Sequence, residues 1–255
     1  MSVNRYVRHR SLLPDPAWQR LAQVRCVVAG AGGLGSTVIM LLNRLGPVQL
    51  DVWDPGVVDE PDLNRQLLYT PADIGERKAG LAAAHVRASN PECTVTARSE
   101  RLTHASFVKA YGESGSREDR RAEPSGGAET GRPETSTLVL FDCVDSMGAR
   151  AEFDRIHAAY TLPVFHAAVE RSYGQVATLA QGSPGYDAIL PAGWRDAAGP
   201  PKPIFPHVVT MAASLQVGEF VQWLSGAATP LADRLLHLDA ARASFRLFSR
   251  TKGEQ

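Results

Sequence analysis

Apolar and polar positions near the start of the chain predict a strand, a helix and a second strand in close succession. Residues 26–29 form an apolar run that ends in a glycine-rich turn, and residues 36–45 then carry aliphatic side chains at helical spacing. Residues 48–53 alternate between apolar and polar side chains, which is typical of a strand. This succession predicts a βαβ unit with a right-handed crossover.

The rest of the chain continues with elements of both kinds. We expect helices over residues 76–89, 104–111, 147–160 and 207–224, strands over 93–97, 137–141, 163–168 and 175–180, and a closing hairpin from strands at 235–238 and 244–248. Strands that alternate with helices predict an α/β fold. The expected architecture is a doubly wound, mainly parallel, Rossmann-like sheet with an antiparallel C-terminal extension.

The chain, residues 1–255, is predicted to form a single domain. A helical arm over residues 1–24 precedes a core over 25–180, and residues 207–255 hold the last helix and the hairpin. Residues 112–136 contain two alanines as their only apolar side chains, so we interpret them as a disordered insertion, with a partner-docking loop as the alternative. Residues 181–206 are rich in Gly and Pro, and we expect this crossover loop to be mobile until substrate binds or held by other contacts.

Charge and cysteine content exclude several classes of protein. The 27 Lys and Arg residues balance 27 Asp and Glu residues, so no net positive field attracts nucleic acid or an anionic membrane. Pro14 and Pro16 interrupt the position of a signal-peptide core, and no segment approaches the ~20 apolar residues that cross a bilayer. Cys26, Cys93 and Cys143 form no CxxC pair. We therefore expect a cytoplasmic protein with no nucleic-acid or membrane partner.

The turn after the first strand carries the pattern of a nucleotide-binding loop. Glycines let backbone amides and a helix N-terminus approach phosphate, and a carboxylate at the end of the next strand accepts hydrogen bonds from ribose hydroxyls. The candidate residues are Gly30, Gly32, Gly33, Gly35 and Asp54. This pattern predicts an adenine nucleotide, but it does not choose between NAD and ATP.

A group of cationic and amide side chains follows Asp54 closely in the chain. Its members are Asn64, Arg65, Gln66 and Lys78. A nicotinamide-dependent oxidoreductase needs no such group. A triphosphate does need it, because the negative charge that develops on a leaving pyrophosphate is stabilised by guanidinium and ammonium groups. The group therefore favours ATP over NAD.

These motifs resemble those of the activating-enzyme superfamily, which includes ThiF, MoeB and HesA proteins and the adenylation domains of ubiquitin-activating enzymes. The similarity covers almost the whole chain, through RYVRH, GAGGLGS, DPGVVDEPDLNRQLLY, ADIGERK, SNPECTV, DCVDS, GQVA and SLQVGEFVQWLSG. It implies that Asp54 holds the ribose and that Arg65 and Lys78 hold the phosphates. Asn64 and Gln66 would support the phosphate region.

The resemblance also implies magnesium and a homodimer. Asp145 of DCVDS would govern the Mg²⁺ ion, and Arg8 of RYVRH would reach the triphosphate bound by the opposite subunit. The implied catalytic residues are thus Arg8, Arg65, Lys78 and Asp145. Asp145 has a second interpretation, as the N-cap of the helix that opens at Met147, and the two roles can coexist.

The reaction implied by the resemblance is adenylation of the C-terminal carboxylate of a ubiquitin-like sulfur-carrier protein, which gives an acyl-adenylate and pyrophosphate. A terminal carboxylate is ionised at neutral pH, so the reaction needs positioning and charge stabilisation rather than a general base. Two alternatives stay open, namely adenylation of a peptide or small carboxylic acid and a non-catalytic subunit that pairs with an active homologue. An oxidoreductase would rest on the glycine pattern alone.

The sequence departs from the family at the zinc site. Most bacterial members carry two CxxC pairs, whereas this chain has SPGYDAILPAGW at the first position and ends at SRTKGEQ before the second. We therefore expect no structural zinc. The three cysteines are interpreted as small buried side chains, and the reaction is expected to stop at the acyl-adenylate, with sulfur or an amine delivered by another protein.

Overall fold

The computed structural model describes residues 4–115, 137–180, 183, 185–190, 203–227, 229–232 and 234–249. The helices are α1 (Asp15–Gln23), α2 (Gly33–Leu45), α3 (Lys78–Ser89), α4 (His104–Gly115), α5 (Met147–Tyr160) and α6 (Pro206–Leu224). The strands are β1 (Arg25–Ala29), β2 (Gln49–Trp53), β3 (Thr94–Arg98), β4 (Leu138–Asp142), β5 (Val164–Glu170), β6 (Tyr173–Leu179), β7 (Arg234–Asp239) and β8 (Ser244–Ser249). Each predicted helix and strand is present, with shifts of a few residues at the ends.

The eight strands found in the described residues form one sheet in the order β3-β2-β1-β4-β5-β6-β7-β8. The strands from β3 to β5 in this order pair in parallel, and β6, β7 and β8 follow in antiparallel pairings. The order confirms the doubly wound, mainly parallel sheet with an antiparallel C-terminal extension. The chain adds β2 and β3 on one side of β1 and then crosses to add β4 and β5 on the other side, so the strand order reverses between β1 and β4. Ligands of such sheets bind at the carboxyl ends of the strands beside this switch point.

Apolar side chains cover both faces of the sheet. Four of the five residues of β1 are buried, as expected for a parallel strand with helices on both sides. One core cluster contains Val28, Ile39 and Phe220 and lies among α2, α3 and α6. The other contains Phe107 and Phe153 and lies among α4, α5 and the sheet. These two cores hold the strand ends that carry the candidate site.

Helix α4 is longer than the sequence pattern predicts. It runs to Gly115, so the interpretation of residues 112–115 as part of a disordered insertion is wrong. The rings of Phe107 and Tyr111 pack 4.7 Å apart, and the Tyr111 hydroxyl donates to buried Asp51 over 2.6 Å. These contacts anchor the last turns of the helix, and extending an anchored helix by a few residues is favourable. Residues 116–136 lie outside the described residues.

The described part of the crossover connection is packed against the core. Residues Gly185–Ala188 form a short 3-10 helix, and Tyr186, Ile189 and Leu190 are buried. Ile204 forms a β-bridge with Arg171. This part is therefore held by other contacts, while residues 181–182, 184 and 191–202 lie outside the described residues. Within the described ranges, none of the helices is long and apolar enough to cross a membrane.

The N-terminal arm is attached to the end of α3. Asn90 donates to the Tyr6 hydroxyl over 2.9 Å, and the Arg5 guanidinium donates to the Asn90 side-chain oxygen over 3.0 Å. Tyr6 is buried, whereas Arg8 is exposed. The arm therefore has a fixed inner face, and Arg8 lies on its outer side.

Candidate functional site

The candidate site lies where β1, β2 and β4 end. Gly30 follows β1, Asp54 follows β2, and Asp145 lies three residues beyond the end of β4. Backbone hydrogen bonds hold these ends together, since Gly30 N–H donates to the Trp53 carbonyl and Cys143 N–H donates to the Ala29 carbonyl. The site therefore occupies the switch point at which ligands of doubly wound sheets bind.

Two glycines of the turn allow a close approach that a side chain would prevent. Gly30 has a φ of 95°, and a Cβ atom there would lie 2.7 Å from the Cys143 carbonyl oxygen. A Cβ atom at Gly35 would lie 1.8 Å from the Gly30 carbonyl oxygen. Gly32 and Gly33 instead face the side chains of Gln66 and Arg65, respectively. A Cβ atom on Gly33 would lie 3.4 Å from the Arg65 side chain. The turn thus packs directly against the cationic group.

Asp54 is fixed by the backbone around it. Its Oδ2 accepts from Ala31 N–H and its Oδ1 from Gly56 N–H, both over 2.7 Å. Each carboxylate oxygen can accept a further hydrogen bond, so the role predicted for Asp54 at a ribose remains compatible with these contacts. The carboxylate also has a structural role, because it links the glycine turn after β1 to the turn after β2.

Asp62 gathers the cationic side chains of the site. The Lys78 ammonium lies 2.8 Å from Oδ2, the Arg65 guanidinium lies 3.6 Å from Oδ1, and Gln66 donates to Oδ1 over 2.5 Å. Oδ2 also accepts from Asp59 N–H over 3.1 Å. The sequence analysis missed Asp62. A signal was present, because Arg65 and Gln66 follow it at the i+3 and i+4 spacing that places side chains together on a helical turn.

The local backbone brings Arg65 and Lys78 to the same place. A 3-10 helix over Glu60–Asn64, capped by Asp59, places Arg65 at its end. There the Arg65 guanidinium receives additional support from the Asn64 side-chain oxygen over 2.8 Å. Lys78 opens α3, and its N–H donates to the Gly56 carbonyl. Asn64 itself is exposed.

Gln66 has an unsatisfied acceptor. The residue is 3% exposed, its Nε2 donates to Asp62, and its Oε1 has no hydrogen-bond partner in the part of the chain that the structure describes. A buried acceptor without a partner is unfavourable by about 1–3 kcal/mol. Gln66 lies against Gly32 of the glycine turn. A ligand that brings a hydroxyl or amino donor into this turn would satisfy it.

A buried network around Asp142 was also missed. Its Oδ2 accepts from Arg150 Nε over 3.0 Å, from His166 Nδ1 over 2.6 Å and from the Tyr186 hydroxyl over 2.7 Å. Arg150 also donates to the Val144 carbonyl over 2.7 Å. The sequence signal was the first carboxylate of DCVDS at the end of an apolar strand, a position where a buried charge requires partners. The network holds the turn that follows β4.

Opposing effects set the protonation states in this network. Burial alone would raise the pKa of Asp142, but the Arg150 charge and the hydrogen bonds from His166 and Tyr186 outweigh it and hold that pKa well below its usual range. Burial lowers the pKa of His166 and, together with the Arg150 charge, outweighs the hydrogen bond and charge of Asp142, which raise it. A neutral His166 fits its contacts, because Nδ1–H donates to Asp142 while Nε2 accepts from Gln175 over 3.2 Å.

Asp145 and Arg8 are both exposed. Asp145 lies in the turn after β4. Its alternative interpretation as the cap of α5 is wrong, because Ser146 is the N-cap and its hydroxyl accepts from Ala149 N–H over 3.3 Å. Arg8 lies on the N-terminal arm, outside the group that Asp62 holds together.

Comparison with known proteins decides the relationship. The model of the ThiF family matches residues 5–255. The chain belongs to the ThiF family. The resemblance inferred from the sequence motifs is thereby confirmed.

Curated relatives of this ThiF-family chain include adenylyltransferases and an activating enzyme. A sulfur carrier protein adenylyltransferase of Thermus thermophilus is 29% identical over 96% of this chain and 86% of its own length. A SAMP-activating enzyme E1 of Haloferax volcanii is 30% identical over 74% of this chain and 62% of its length. The Escherichia coli sulfur carrier protein ThiS adenylyltransferase is 26% identical over 83% of this chain and 76% of its own length. The ThiF-family chain is an enzyme of this adenylyltransferase class.

Solved structures show the same fold. A crystal structure of E. coli MccB with ATP has a TM-score of 0.74 at 14% identity and covers 100% of this chain and 73% of its own. A crystal structure of PaaA has a TM-score of 0.68 at 19% identity and covers 91% of this chain and 66% of its own. At these identities the likeness concerns the fold, and it confirms the mixed sheet of the ThiF-family chain.

The site of the ThiF-family chain fits a nucleotide. The cations Arg65 and Lys78 are partly shielded from solvent, and the glycine turn packs against Arg65. Together with the unsatisfied acceptor at Gln66, they match a phosphorylated ligand that carries hydrogen-bond donors. The described residues offer fewer ligands for magnesium than for a nucleotide, because no group of three His, Cys, Asp or Glu side chains that could hold a metal ion is found among them. Mg²⁺ is commonly held by one or two carboxylates together with substrate phosphates, and Asp145 fits such a role.

The cysteines of the ThiF-family chain lie in the hydrophobic core. Cys26, Cys93 and Cys143 are free thiols and are buried, as the sequence analysis predicts. Burial raises the pKa of the Cys26 and Cys143 thiols well above the usual range, so neither is present as a reactive thiolate at neutral pH. The absence of a structural zinc remains a prediction from the sequence.

Proposed function

We propose that this chain uses ATP and Mg²⁺ to adenylate the C-terminal carboxylate of a ubiquitin-like sulfur-carrier protein, giving an acyl-adenylate and pyrophosphate. The observation that carries the proposal is the convergence of Arg65 and Lys78 on Asp62, with Arg65 against the glycine turn at the switch point of the sheet. The substrate class is supported by relatives whose names describe adenylation of sulfur-carrier proteins.

The residues at the site divide the work between binding and charge stabilisation. Asp54 holds the ribose of ATP, and the glycine turn with the N-terminus of α2 approaches its phosphates. Arg65 and Lys78 receive the negative charge that develops on the leaving pyrophosphate, and Gln66 and Asn64 support them. The attacking carboxylate is already ionised, so the chain contributes orientation rather than proton transfer.

Three finer features complete the proposal. Asp145 provides a carboxylate for the Mg²⁺ that accompanies ATP, and it lies exposed in the turn after β4. Arg8 completes the phosphate site of the opposite subunit in a homodimer, and its exposure on the N-terminal arm is compatible with that role. The three unpaired cysteines favour a reducing, cytoplasmic location.

A second candidate substrate is a peptide or small carboxylic acid. It is favoured by the fold neighbour MccB, which has been solved with MccA as well as with ATP. It is also favoured by the sequence, because SPGYDAILPAGW stands where most bacterial members of the family carry the first CxxC pair. The two candidates share the same ATP chemistry and differ only in the carboxylate that attacks.

ATP–pyrophosphate exchange with each class of carboxylate tests the proposal. We expect exchange that depends on Mg²⁺ and on a sulfur-carrier protein with a free C-terminus, and exchange supported by a peptide or small acid instead would select the second candidate. Arg65→Ala, Lys78→Ala and Asp145→Ala should each reduce the exchange rate by on the order of 100-fold or more. Arg87→Ala, an exposed cation of the same α3, is the matched control and should leave the rate unchanged.

Direct ATP binding by calorimetry separates an inactive enzyme from a non-catalytic subunit. Wild-type protein that binds ATP with Mg²⁺ but exchanges with no carboxylate retains the nucleotide site and lacks the right substrate. Wild-type protein that binds no ATP contradicts the proposed function and favours a subunit that pairs with an active homologue.

A further inference from the structure

Asp62 provides a negative charge inside a site that the proposed function assigns to phosphate. Its carboxylate contacts Lys78 and Arg65, the two cations expected to bind the triphosphate. Its side chain is only 14% exposed, and those of Lys78 and Arg65 are 13% and 28% exposed. Such partial shielding strengthens the attraction between these charges relative to open water.

We propose that Asp62 is an internal counter-anion of the phosphate site, which polyphosphate must displace from Lys78 and Arg65 when it binds. This inference rests on the proposed function. Without ligand, Asp62 keeps the two cations together and neutralises one of their two charges. With ligand, the phosphate oxygens take its place on the ammonium and guanidinium groups.

The charge balance gives Asp62 an effect on ligand selectivity. A phosphate group competes with Asp62 for the same donors and is repelled by its carboxylate, so a ligand with several negative charges is opposed more than a ligand with few. Asp62 should therefore weaken the binding of ATP and pyrophosphate more than the binding of AMP. When pyrophosphate leaves, Asp62 can return to Lys78 and Arg65, so the carboxylate also assists product release.

The structure indicates a variant that removes the charge and keeps the shape. In Asp62→Asn, the amide oxygen can still accept from Lys78 and from Asp59 N–H. Rotation of the Gln66 side-chain amide would place its unpaired Oε1 against the NH2 group of the substituted side chain. That NH2 group could then donate a hydrogen bond to Oε1. We therefore expect this variant to fold. Asp62→Ser is a second variant that keeps an acceptor for the local backbone.

Calorimetric titration with ATP, pyrophosphate and AMP tests the inference. In low salt, Asp62→Asn should bind pyrophosphate and ATP with Mg²⁺ about 10-fold more tightly than wild type, with a smaller gain for AMP. The gain should shrink as salt is raised, because added ions screen the extra charge. Asp62→Ser should change affinity in the same direction.

A matched control is Asp59→Asn. It removes the same charge three residues away, where the side chain accepts from Glu60 N–H, and the described residues show no ion pair between it and Lys78 or Arg65. Its affinities should equal those of wild type. A similar gain in this control would show a general charge effect and would overturn the inference.

Kinetic data provide a readout that a purely structural role would not move. Asp62→Asn should lower the KM for ATP and also lower kcat, because pyrophosphate leaves more slowly. Wild type that binds ATP, with Asp62→Asn binding it equally or more weakly, overturns the role of Asp62 and leaves the proposed function intact. If neither protein binds ATP, the proposed function and the inference fail together.

Discussion

The Tyr186 hydroxyl, in the connection after β6, donates over 2.7 Å to the carboxylate of Asp142 at the end of β4. The two residues are 44 positions apart in the sequence. Arg150 binds the same carboxylate and also donates to the Val144 carbonyl, in the turn that carries Asp145. The described part of the crossover connection is therefore tied to the turn on which the proposed Mg²⁺ ligand lies.

Tyr186→Phe should destabilise the protein by about 1.5–3 kcal/mol, because it removes a hydrogen bond to a buried charged group and keeps the ring. The ring contact with His166, at a centroid distance of 5.3 Å, should persist. Urea denaturation at neutral pH measures the loss. A double-mutant cycle with Asp142→Asn should show coupling between the two changes, and additive effects would contradict a direct interaction.

Arg150→Met should destabilise the protein by about 3–5 kcal/mol, because it leaves the fully buried Asp142 carboxylate without its cation. Chemical denaturation again gives the free energy of unfolding. Arg155→Met is the matched control on the same α5, since Arg155 is exposed and pairs with Glu152 at the surface. Its effect should stay below about 1 kcal/mol, and equal losses in the two variants would contradict the assigned difference.

Stability should fall as the pH is lowered below about 6.5, the ordinary pKa of histidine. Burial lowers the pKa of His166 in the folded state, so between its folded pKa and about 6.5 the unfolded chain binds a proton that the native chain does not. Each such group contributes a slope of at most ~1.4 kcal/mol per pH unit. Urea titrations at successive pH values measure the slope.

His166→Gln is the variant that identifies the source of this slope. It should make stability less dependent on pH in that window, while a residual slope is expected from His85, whose pKa is also lowered by burial. Asp142 acts at lower pH, because its depressed pKa contributes stability that is present above about 3.9 and is lost as pH falls through the folded value. An unchanged slope in His166→Gln would contradict a neutral buried imidazole.

Local patterns predicted most of the fold. Strand β1, the glycine turn and helix α2 were predicted because apolar periodicity and turn residues are properties of neighbouring positions. The same reason explains why α5 was predicted with its observed bounds. The end of α4 was not predicted. It depends on contacts of Tyr111 with Phe107, one turn earlier in the helix, and with Asp51 on β2.

The candidate site was predicted less completely than the fold. Motif spacing selected Arg65 and Lys78, and the structure brings both to one carboxylate. That carboxylate, Asp62, was missed because a motif comparison directs attention to the cations rather than to what neutralises them. Asp142 was missed because Tyr186 and His166 reach it only through the tertiary fold.

Gly35→Ala should destabilise the protein by at least ~3 kcal/mol and abolish ATP binding, because its Cβ would lie 1.8 Å from the Gly30 carbonyl oxygen. Relief of that clash would separate α2 from the glycine turn. Gly80→Ala is the matched control, because Gly80 is exposed in α3 and a Cβ atom there meets nothing within 4 Å. This control should stabilise the helix by ~0.5–1 kcal/mol. Urea denaturation and ATP calorimetry on both variants measure these effects, and equal behaviour of the two would contradict the close approach of Gly35 to Gly30.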